Sequence, residues 1–201
     1  MCSIICVTSR KLCTETFLLR LAKIAASGVT AVVLREKDMQ PDEYRSLAVQ
    51  ARLICEHYGV PCILHSFADI AAETGSDSIH LSIQGIRDMT EDMKKKFSVI
   101  GVSVHSADEA AEAESLGATY VTAGHIFPTD CKKGLPPRGL DYLKEICSRI
   151  NIPVYGIGGI DSGNYCLVES AGAAGACVMS GLMTCDDPAG YIEKFRKESR
   201  E

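Results

Sequence analysis

Hydrophobic residues are concentrated in eight short runs that are separated by longer amphipathic segments. Each run is rich in Val, Ile and Ala and is continuously apolar, which is typical of strands covered on both faces. The runs occupy residues 3–8, 31–35, 62–65, 78–81, 99–104, 119–123, 153–157 and 176–179. This pattern predicts eight buried strands that alternate with helices.

The segments between the runs have helical periodicity and recognisable helix ends. Pro41 begins a segment with apolar residues at helical spacing, and Gly59 is a suitable end for it. Ser106 and Glu109 form a capping box at the start of another helix, and Pro188 begins the last one. The connections after the third and fourth runs are short, so we expect abbreviated helices there.

Eight β–α units in a chain of 201 residues favour an α/β fold, a single (β/α)8 TIM barrel near the lower size limit of that fold. The alternative is a doubly wound open sheet. Eight strands, and the lack of a Gly-x-Gly-x-x-Gly motif after the first run, count against it. Residues 1–201 contain no Ser/Pro-rich linker or low-complexity segment, so one domain is expected.

Composition and charge narrow the class of protein. Hydrophobic residues make up 46% and charged residues 23% of the chain, as in soluble globular proteins, and the net charge of −5 disfavours a nucleic-acid partner. No apolar run reaches the ~20 residues of a membrane span, and the N-terminus lacks a signal-peptide layout. We therefore expect a cytoplasmic protein with a small-molecule partner and no membrane partner, and leave a homo-oligomer open.

The ten cysteines do not form an obvious framework. Disulfide frameworks are typical of small secreted chains, and zinc sites use paired spacings such as Cys-x-x-Cys, which do not occur here. Cys131 is set apart because it lies in a polar loop. Most of the others are expected to pack as small apolar residues, among them Cys6, Cys55, Cys62, Cys147 and Cys177.

Candidate anion-binding residues follow the last two runs. In a barrel of this kind the active site lies at the carboxyl ends of the strands. Gly158 and Gly159 follow the seventh run, and Ser180 and Gly181 follow the eighth. Such positions expose backbone N–H groups before a helix, and many barrels hold a phosphate there. Tight turns without a ligand are the alternative interpretation.

A long polar loop follows the sixth run, and loops of this kind in compact barrels are commonly functional. His125, directly after Gly124, is a candidate general acid or base because imidazole titrates near neutral pH. Lys132 and Lys133 are candidates for attracting an anionic substrate. Paired lysines on a loop are also common as merely solvated residues.

The other four histidines carry less weight. His65 and His105 end predicted strands and are secondary candidates, whereas His80 lies within a strand and His57 near the end of a helix. No carboxylate accompanies them at metal-ligand spacing, so no metal site is expected.

Five motifs follow one another along nearly the whole chain. They are VLREKDM at 33–39, GVSVHS at 101–106, GHIFPTDCKKG at 124–134, GIGGI at 156–160 and VMSG at 178–181. Together they resemble the thiamine phosphate synthase/TenI superfamily, which has a synthase branch and a TenI branch.

The synthase branch, by this resemblance, joins a pyrimidine pyrophosphate to a thiazole phosphate with magnesium on the pyrophosphate. Its pattern has Gln before Leu-Arg-Glu-Lys, Asn-Asp after the third strand and Asp after the fourth. This chain has Val33, then His65 and Ser66, then the segment 82–86 without a carboxylate. Because magnesium prefers oxygen ligands, above all carboxylates, these replacements count against synthase activity.

The TenI branch has a His where synthases have Pro, and His125 occupies that position. The resemblance therefore implies a thiazole tautomerase of thiamine biosynthesis, an isomerase that needs no metal or cofactor. His125 would move a proton to convert an exocyclic-alkene thiazole carboxylate phosphate into its aromatic isomer. The residues expected to bind this thiazole phosphate are Arg35, Gly124, Lys132, Gly158, Gly159, Ser180 and Gly181. The alternatives are a magnesium-dependent thiamine phosphate synthase and a non-catalytic regulatory or ligand-binding member of the family.

Overall fold

A computed structural model of the protein describes residues 2–132 and 134–198. It contains eight strands: β1 (Ile4–Val7), β2 (Ala31–Leu34), β3 (Cys62–His65), β4 (Ser78–Ser82), β5 (Val99–Val104), β6 (Tyr120–Gly124), β7 (Val154–Ile157) and β8 (Gly175–Val178). All are parallel, each pairs with the next in the chain, and β8 pairs with β1. The sheet is a closed barrel, which confirms the predicted (β/α)8 fold.

Helices connect the strands on the outside of the barrel. They are α1 (Phe17–Ala26), α2 (Pro41–His57), α3 (Ala68–Glu73), α4 (Ile83–Asp88), α5 (Glu91–Lys94), α6 (Ala107–Ser115), α7 (Gly139–Arg149), α8 (Tyr165–Ser170), α9 (Ser180–Thr184) and α10 (Pro188–Glu198). The helices after β3 and β4 are short, as predicted. Across the described ranges, no helix combines the length and apolar character that crossing a membrane requires.

Continuous burial of the strands explains their apolar sequences. Every residue of β1, β2 and β8 is buried. Alternate side chains face the helices and the barrel interior, because successive residues of a strand point to opposite faces. The outward set, which includes Cys6, Val32 and Leu34, belongs to the large core under the helices. The inward set fills the barrel and comprises Ile5, Val7, Ala31, Val33, Ile63, Tyr120 and Cys177.

The predicted strand boundaries agree with the observed ones to within one residue at each end. The seventh strand begins at Val154, one residue later than predicted, and Pro153 has no N–H to donate to the sheet. The predicted starts at Pro41 and Pro188 are the observed first residues of α2 and α10.

The predicted capping box at α6 is only half formed. The Ser106 side chain accepts a hydrogen bond of 3.0 Å from the Glu109 N–H. The Glu109 carboxylate instead accepts a hydrogen bond of 2.6 Å from the N–H of His105, one residue before the cap. The helix start is therefore correct, but the return bond satisfies a different N–H group.

The cysteines named as packing residues lie in the core or at its edge. Cys6, Cys55 and Cys177 are buried, and Cys62 and Cys147 are half-buried, whereas Cys131 is exposed. Burial raises the pKa of the Cys6 and Cys177 thiols well above their usual range. Buried thiols with raised pKa values behave as small apolar residues.

A polar cluster crosses the barrel interior at β4, β5 and β6. Gly101 on β5 lies opposite Tyr120 on β6, and a side chain at Gly101 would collide with the Tyr120 ring. The space left by this glycine lets the Tyr120 hydroxyl reach His80 Nδ1 at 2.9 Å. His80 Nε2 lies 2.8 Å from the Ser103 hydroxyl, so both ring nitrogens are satisfied.

Gly101→Ala is therefore expected to destabilise the barrel by about 1–3 kcal/mol, because the added methyl overpacks a closed interior. Gly163→Ala is the control, since the nearest neighbour of its new Cβ is at an ordinary 3.5 Å. Urea unfolding followed by circular dichroism measures both. Equal stability of the two variants would contradict the proposed role of Gly101.

Candidate functional site

The closed sheet brings the carboxyl ends of all eight strands together at one mouth of the barrel. Arg35, His65, Gly124 and His125 end or directly follow their strands at this mouth. Arg35 continues the inward-facing series of Ala31 and Val33, so its side chain is directed into the mouth. The candidate residues of the sequence therefore share one face of the fold.

Glu36, at the end of β2, is held by hydrogen bonds that fix the first two strand ends. Its carboxylate accepts a hydrogen bond of 2.7 Å from the Thr8 hydroxyl. Both carboxylate oxygens also accept hydrogen bonds from the Arg10 N–H, at 3.0 and 3.1 Å. The Thr8 hydroxyl also accepts 2.9 Å from the Arg35 N–H. Glu36 is only 3% exposed, so this carboxylate is a structural group whose oxygens are already occupied.

Tyr44 of α2 joins the ends of β2 and β3. Its hydroxyl donates a hydrogen bond of 2.7 Å to the Leu34 carbonyl and accepts one of 2.8 Å from the His65 N–H. Ser66 follows with a φ of 70°, in the left-handed region, and its N–H donates 2.9 Å to the His80 carbonyl. The chain thereby turns sharply at Ser66 and presents its hydroxyl at the mouth.

His65 and His80 form a stacked pair with ring centroids 5.6 Å apart. Burial, with the positive charges of Arg35 and Lys37 nearby, lowers the pKa of His80 to about 3. Burial, the neighbouring His80 and the same cations lower the pKa of His65 to about 3. Both rings are therefore neutral near pH 7.

Two cavities open at the mouth. The first cavity has a volume of about 270 Å³ and is lined by Glu36, Lys37, His65, Ser66 and Phe67. The second cavity has a volume of about 490 Å³ and lies under the loop after β6. It is lined by His105, Gly124, His125, Lys132, Leu135, Pro136, Pro137 and Arg138.

The second cavity brings together three of the predicted site residues: Gly124, His125 and Lys132. His125 is 9% exposed, and its Nε2 lies 3.3 Å from the Leu135 carbonyl. The Gly124–His125 peptide bond is cis. Lys133, the other loop lysine named from the sequence, lies outside the described residues.

The glycines after β7 pack against the same loop. Gly158 has a φ of 97°, and a side chain there would meet the His125 Cβ; at Gly159, with a φ of 67°, it would meet the Phe127–Pro128 backbone. Only glycine fits such a left-handed and crowded position. The Gly158 carbonyl also accepts a hydrogen bond of 3.0 Å from the Phe127 N–H, which joins the loop after β7 to the loop after β6.

Ser180 and Gly181 begin α9, and the hydrogen bonds of their carbonyls run within that turn. The Thr184 hydroxyl donates 2.9 Å to the Ser180 carbonyl, and the Cys185 N–H donates 3.2 Å to that of Gly181. Within the described ranges, neither residue lines the two cavities. The structure thus places them on the same end of the barrel as Gly158 but does not join them to His125.

Sequence reasoning missed Phe67 and Arg138 as lining residues. Arg138 lies over the Tyr142 ring, 5.1 Å from its centroid, which explains how it is held beside the second cavity. Lys37 was visible within the Arg-Glu-Lys sequence at the end of the second run, but it was not chosen as a site residue. No pattern in the sequence marks Phe67, because its place depends on the turn at Ser66.

Comparison with known proteins covers nearly the whole chain. The family model described as thiamine monophosphate synthase matches residues 4–182. The chain belongs to this family. A thiamine-phosphate synthase of Desulfitobacterium hafniense is 34% identical over 90% of this chain and 91% of its own. One of Clostridium acetobutylicum is 37% identical over 89% of this chain and 85% of its own.

A solved structure gives the same result for the fold. The thiamine phosphate pyrophosphorylase from Pyrococcus furiosus superposes with a TM-score of 0.85 and 29% identity, over 98% of this chain and 95% of that one. The barrel fold is therefore shared with this solved structure.

The expected thiazole tautomerase is wrong. The similar proteins are named thiamine-phosphate synthases, which are transferases and not isomerases. The expectation relied on one position, His125, and on the missing carboxylates at the mouth. Similarity to synthases over most of the chain outweighs those local differences, so the isomerase reaction in which His125 was expected to move a proton is not retained.

The mouth does not fit the magnesium ion that the resemblance associates with synthases. By that resemblance, His65 and Ser66 and the segment 82–86 stand where synthases have magnesium-binding residues, and none of these positions carries a carboxylate. Among the described residues, no group of three or more His, Cys, Asp or Glu is arranged to hold a metal. Glu36 lines the first cavity, but its oxygens already accept hydrogen bonds from Thr8 and Arg10.

The buried histidines predict a pH-dependent stability. Their pKa is about 3 in the folded protein against an ordinary 6.5, so the unfolded chain binds more protons as the pH falls below 6.5. The free energy of unfolding should fall over this window by roughly 1 kcal/mol per pH unit for each histidine. Above about pH 6.5 both histidines are neutral in the unfolded chain as well, so this loss of stability does not occur there.

His65→Gln should therefore show a shallower loss of stability between about pH 6.5 and pH 5 than the parent protein. His57→Gln, at the exposed end of α2, is the control for the substitution itself and should keep the parental stability at pH 7. Urea unfolding across this range measures the difference. The same slope in His65→Gln and in the parent would refute the neutral, buried state of His65.

Proposed function

We propose that this protein is a thiamine-phosphate synthase, which transfers a pyrimidinylmethyl group from its pyrophosphate ester to a thiazole phosphate. The observation that carries the proposal is the 34–37% identity to thiamine-phosphate synthases over about nine-tenths of the chain. The geometry of the mouth supports it, because two cavities flanked by cations suit two phosphate-bearing substrates.

The reaction makes one bond and breaks one. The lone pair of the thiazole nitrogen forms the new bond to the methylene carbon of the pyrimidine. The carbon–oxygen bond to the pyrophosphate breaks, and its electron pair leaves with the pyrophosphate. No proton moves between protein and substrate, so the site has to orient two anions and stabilise the charge on the leaving group.

We assign the second cavity to the thiazole phosphate. Gly124 and His125 form its wall, and Lys132 places a positive charge at its edge. The Gly159 and Ser180 N–H groups have no acceptor among the described residues and follow β7 and β8 at the same end of the barrel, outside the lining of this cavity. We propose that the phosphate extends beyond the cavity to these two donors, with Gly158 and Gly181 keeping the backbone accessible. His125 acts here by shape and hydrogen bonding.

We assign the first cavity to the pyrimidine pyrophosphate. Lys37, His65 and Ser66 line it, and Arg35 lies close enough to affect the pKa values of Lys37 and His65. Phe67 supplies the apolar wall on which a pyrimidine ring can pack. A cytoplasmic location and participation in thiamine biosynthesis belong to the same proposal.

The protein is expected to form thiamine phosphate and pyrophosphate in equal amounts when both substrates are supplied. Chromatography of the products measures this, with and without added magnesium. Lys132→Ala should raise the KM for the thiazole phosphate by about tenfold or more, because it removes a charge-assisted hydrogen bond. A folded protein that forms no thiamine phosphate under either condition would refute the proposal.

Lys144→Ala is the matched control for Lys132→Ala. Lys144 is an exposed lysine on α7 whose nearest carboxylate, Asp141, is 4.0 Å away. This variant should keep the parental KM values. An equal rise in KM for both variants would mean that only the overall charge of the protein matters.

A further inference from the structure

Arg35, Lys37 and Lys132 form a group of cations at the mouth without acidic partners. Burial lowers the pKa of Lys37, and the nearby positive charges of Arg35 and Lys132 lower it further. Among the described residues, none of the three side chains forms an ion pair within 4.0 Å. By contrast, Arg10 and Lys11 nearby both pair with Asp38, at 2.6 and 3.0 Å.

Like charges held together without counter-charges raise the energy of the free protein, and an anion placed among them relieves that repulsion. Glu36 lies between Arg35 and Lys37 in sequence but does not neutralise them. It is 3% exposed and turned toward Thr8 and Arg10. Glu36 also lines the first cavity, but its charge is balanced by Arg10 at 3.5 Å, so Lys37 is the charged side chain of that lining without an opposite charge.

Ser66 and His65 add hydrogen-bond donors to this lining. The Ser66 hydroxyl and His65 Nδ1 are 2.6 Å apart. If the hydroxyl donates, the neutral ring carries its proton on Nε2; if Nδ1 donates, the hydroxyl proton is free. In either tautomer the pair keeps one donor for a ligand. His65 Nε2 has no hydrogen-bond partner in the described part of the chain.

We propose that the first cavity binds the pyrophosphate group directly, without a divalent cation, through Arg35, Lys37 and the Ser66–His65 pair. The proposal rests on the synthase function above, which identifies the anion. In the synthase pattern, by the resemblance, carboxylates bind a metal that in turn holds the anion. Here neutral hydrogen-bond donors stand in place of those carboxylates, and the lysine and arginine side chains compensate the charge of the ligand.

A hydroxyl in place of a carboxylate at Ser66 favours direct binding of an anion. A carboxylate at Ser66 without a metal would repel a pyrophosphate in the same cavity, whereas a hydroxyl does not. Charge-assisted hydrogen bonds from ammonium and guanidinium groups to phosphate oxygens are short and strong, so they can hold the leaving group during the transfer. Magnesium is then not needed to bind this anion.

Calorimetric titration with inorganic pyrophosphate tests the proposal on the full chain. In excess EDTA we expect saturable binding, with a Kd that Mg²⁺ improves by no more than about threefold. Lys37→Ala should weaken this binding by roughly 10–100-fold, and Lys144→Ala should not change it. Binding that occurs only with Mg²⁺, or an unchanged Kd in Lys37→Ala, would overturn the proposal.

Ser66→Asp tests the proposal in the opposite direction. Aspartate tolerates the left-handed backbone better than most residues, so the turn at Ser66 should be kept. In EDTA this variant should bind pyrophosphate at least about tenfold more weakly than the parent, and Mg²⁺ should restore much of the loss. Unchanged binding in EDTA would show that the anion does not contact Ser66 and would overturn the proposal.

The two proposals fail separately. If pyrophosphate binds in EDTA but no thiamine phosphate is formed, the synthase function is wrong and the metal-free anion site remains. If thiamine phosphate is formed only with Mg²⁺, and pyrophosphate binding has the same requirement, the synthase function remains and the metal-free site is wrong.

Discussion

The candidate site depends on the pairing of β8 with β1, which closes the sheet. The Ala176 N–H donates 3.0 Å to the Ser3 carbonyl at this seam, and a side chain at Gly175 would collide with that carbonyl. Closure brings residues that are far apart in the sequence, such as Arg35 and Lys132, to one mouth. In an open sheet the first and last strands would lie at opposite edges, and their ends would form no common site.

The strands were predictable because burial on both faces leaves a continuous apolar signal. The contacts of the buried polar groups were harder to predict from the sequence. His80 could be identified as a strand residue, but its bonds to Tyr120 and Ser103 depend on register across three strands and on the space left by Gly101. Likewise, no local pattern shows that the Glu36 carboxylate is bound by Thr8 and Arg10 while Lys37 has no acidic partner among the described residues.

The function was harder to predict than the fold for a related reason. A few positions at the mouth differ from the synthase pattern, and on their own they favoured another reaction. The similarity over the remaining chain reverses that conclusion. Both observations agree if the protein keeps the transfer reaction and its lysine and arginine side chains replace the metal in holding the leaving group.

A crystal structure of the protein with thiamine phosphate and pyrophosphate, grown in EDTA, tests this account most directly. It should show pyrophosphate in contact with Lys37 and Ser66, and the phosphate of the other product on the Gly159 and Ser180 N–H groups. Products bound elsewhere on the barrel, with the mouth empty, would contradict the account.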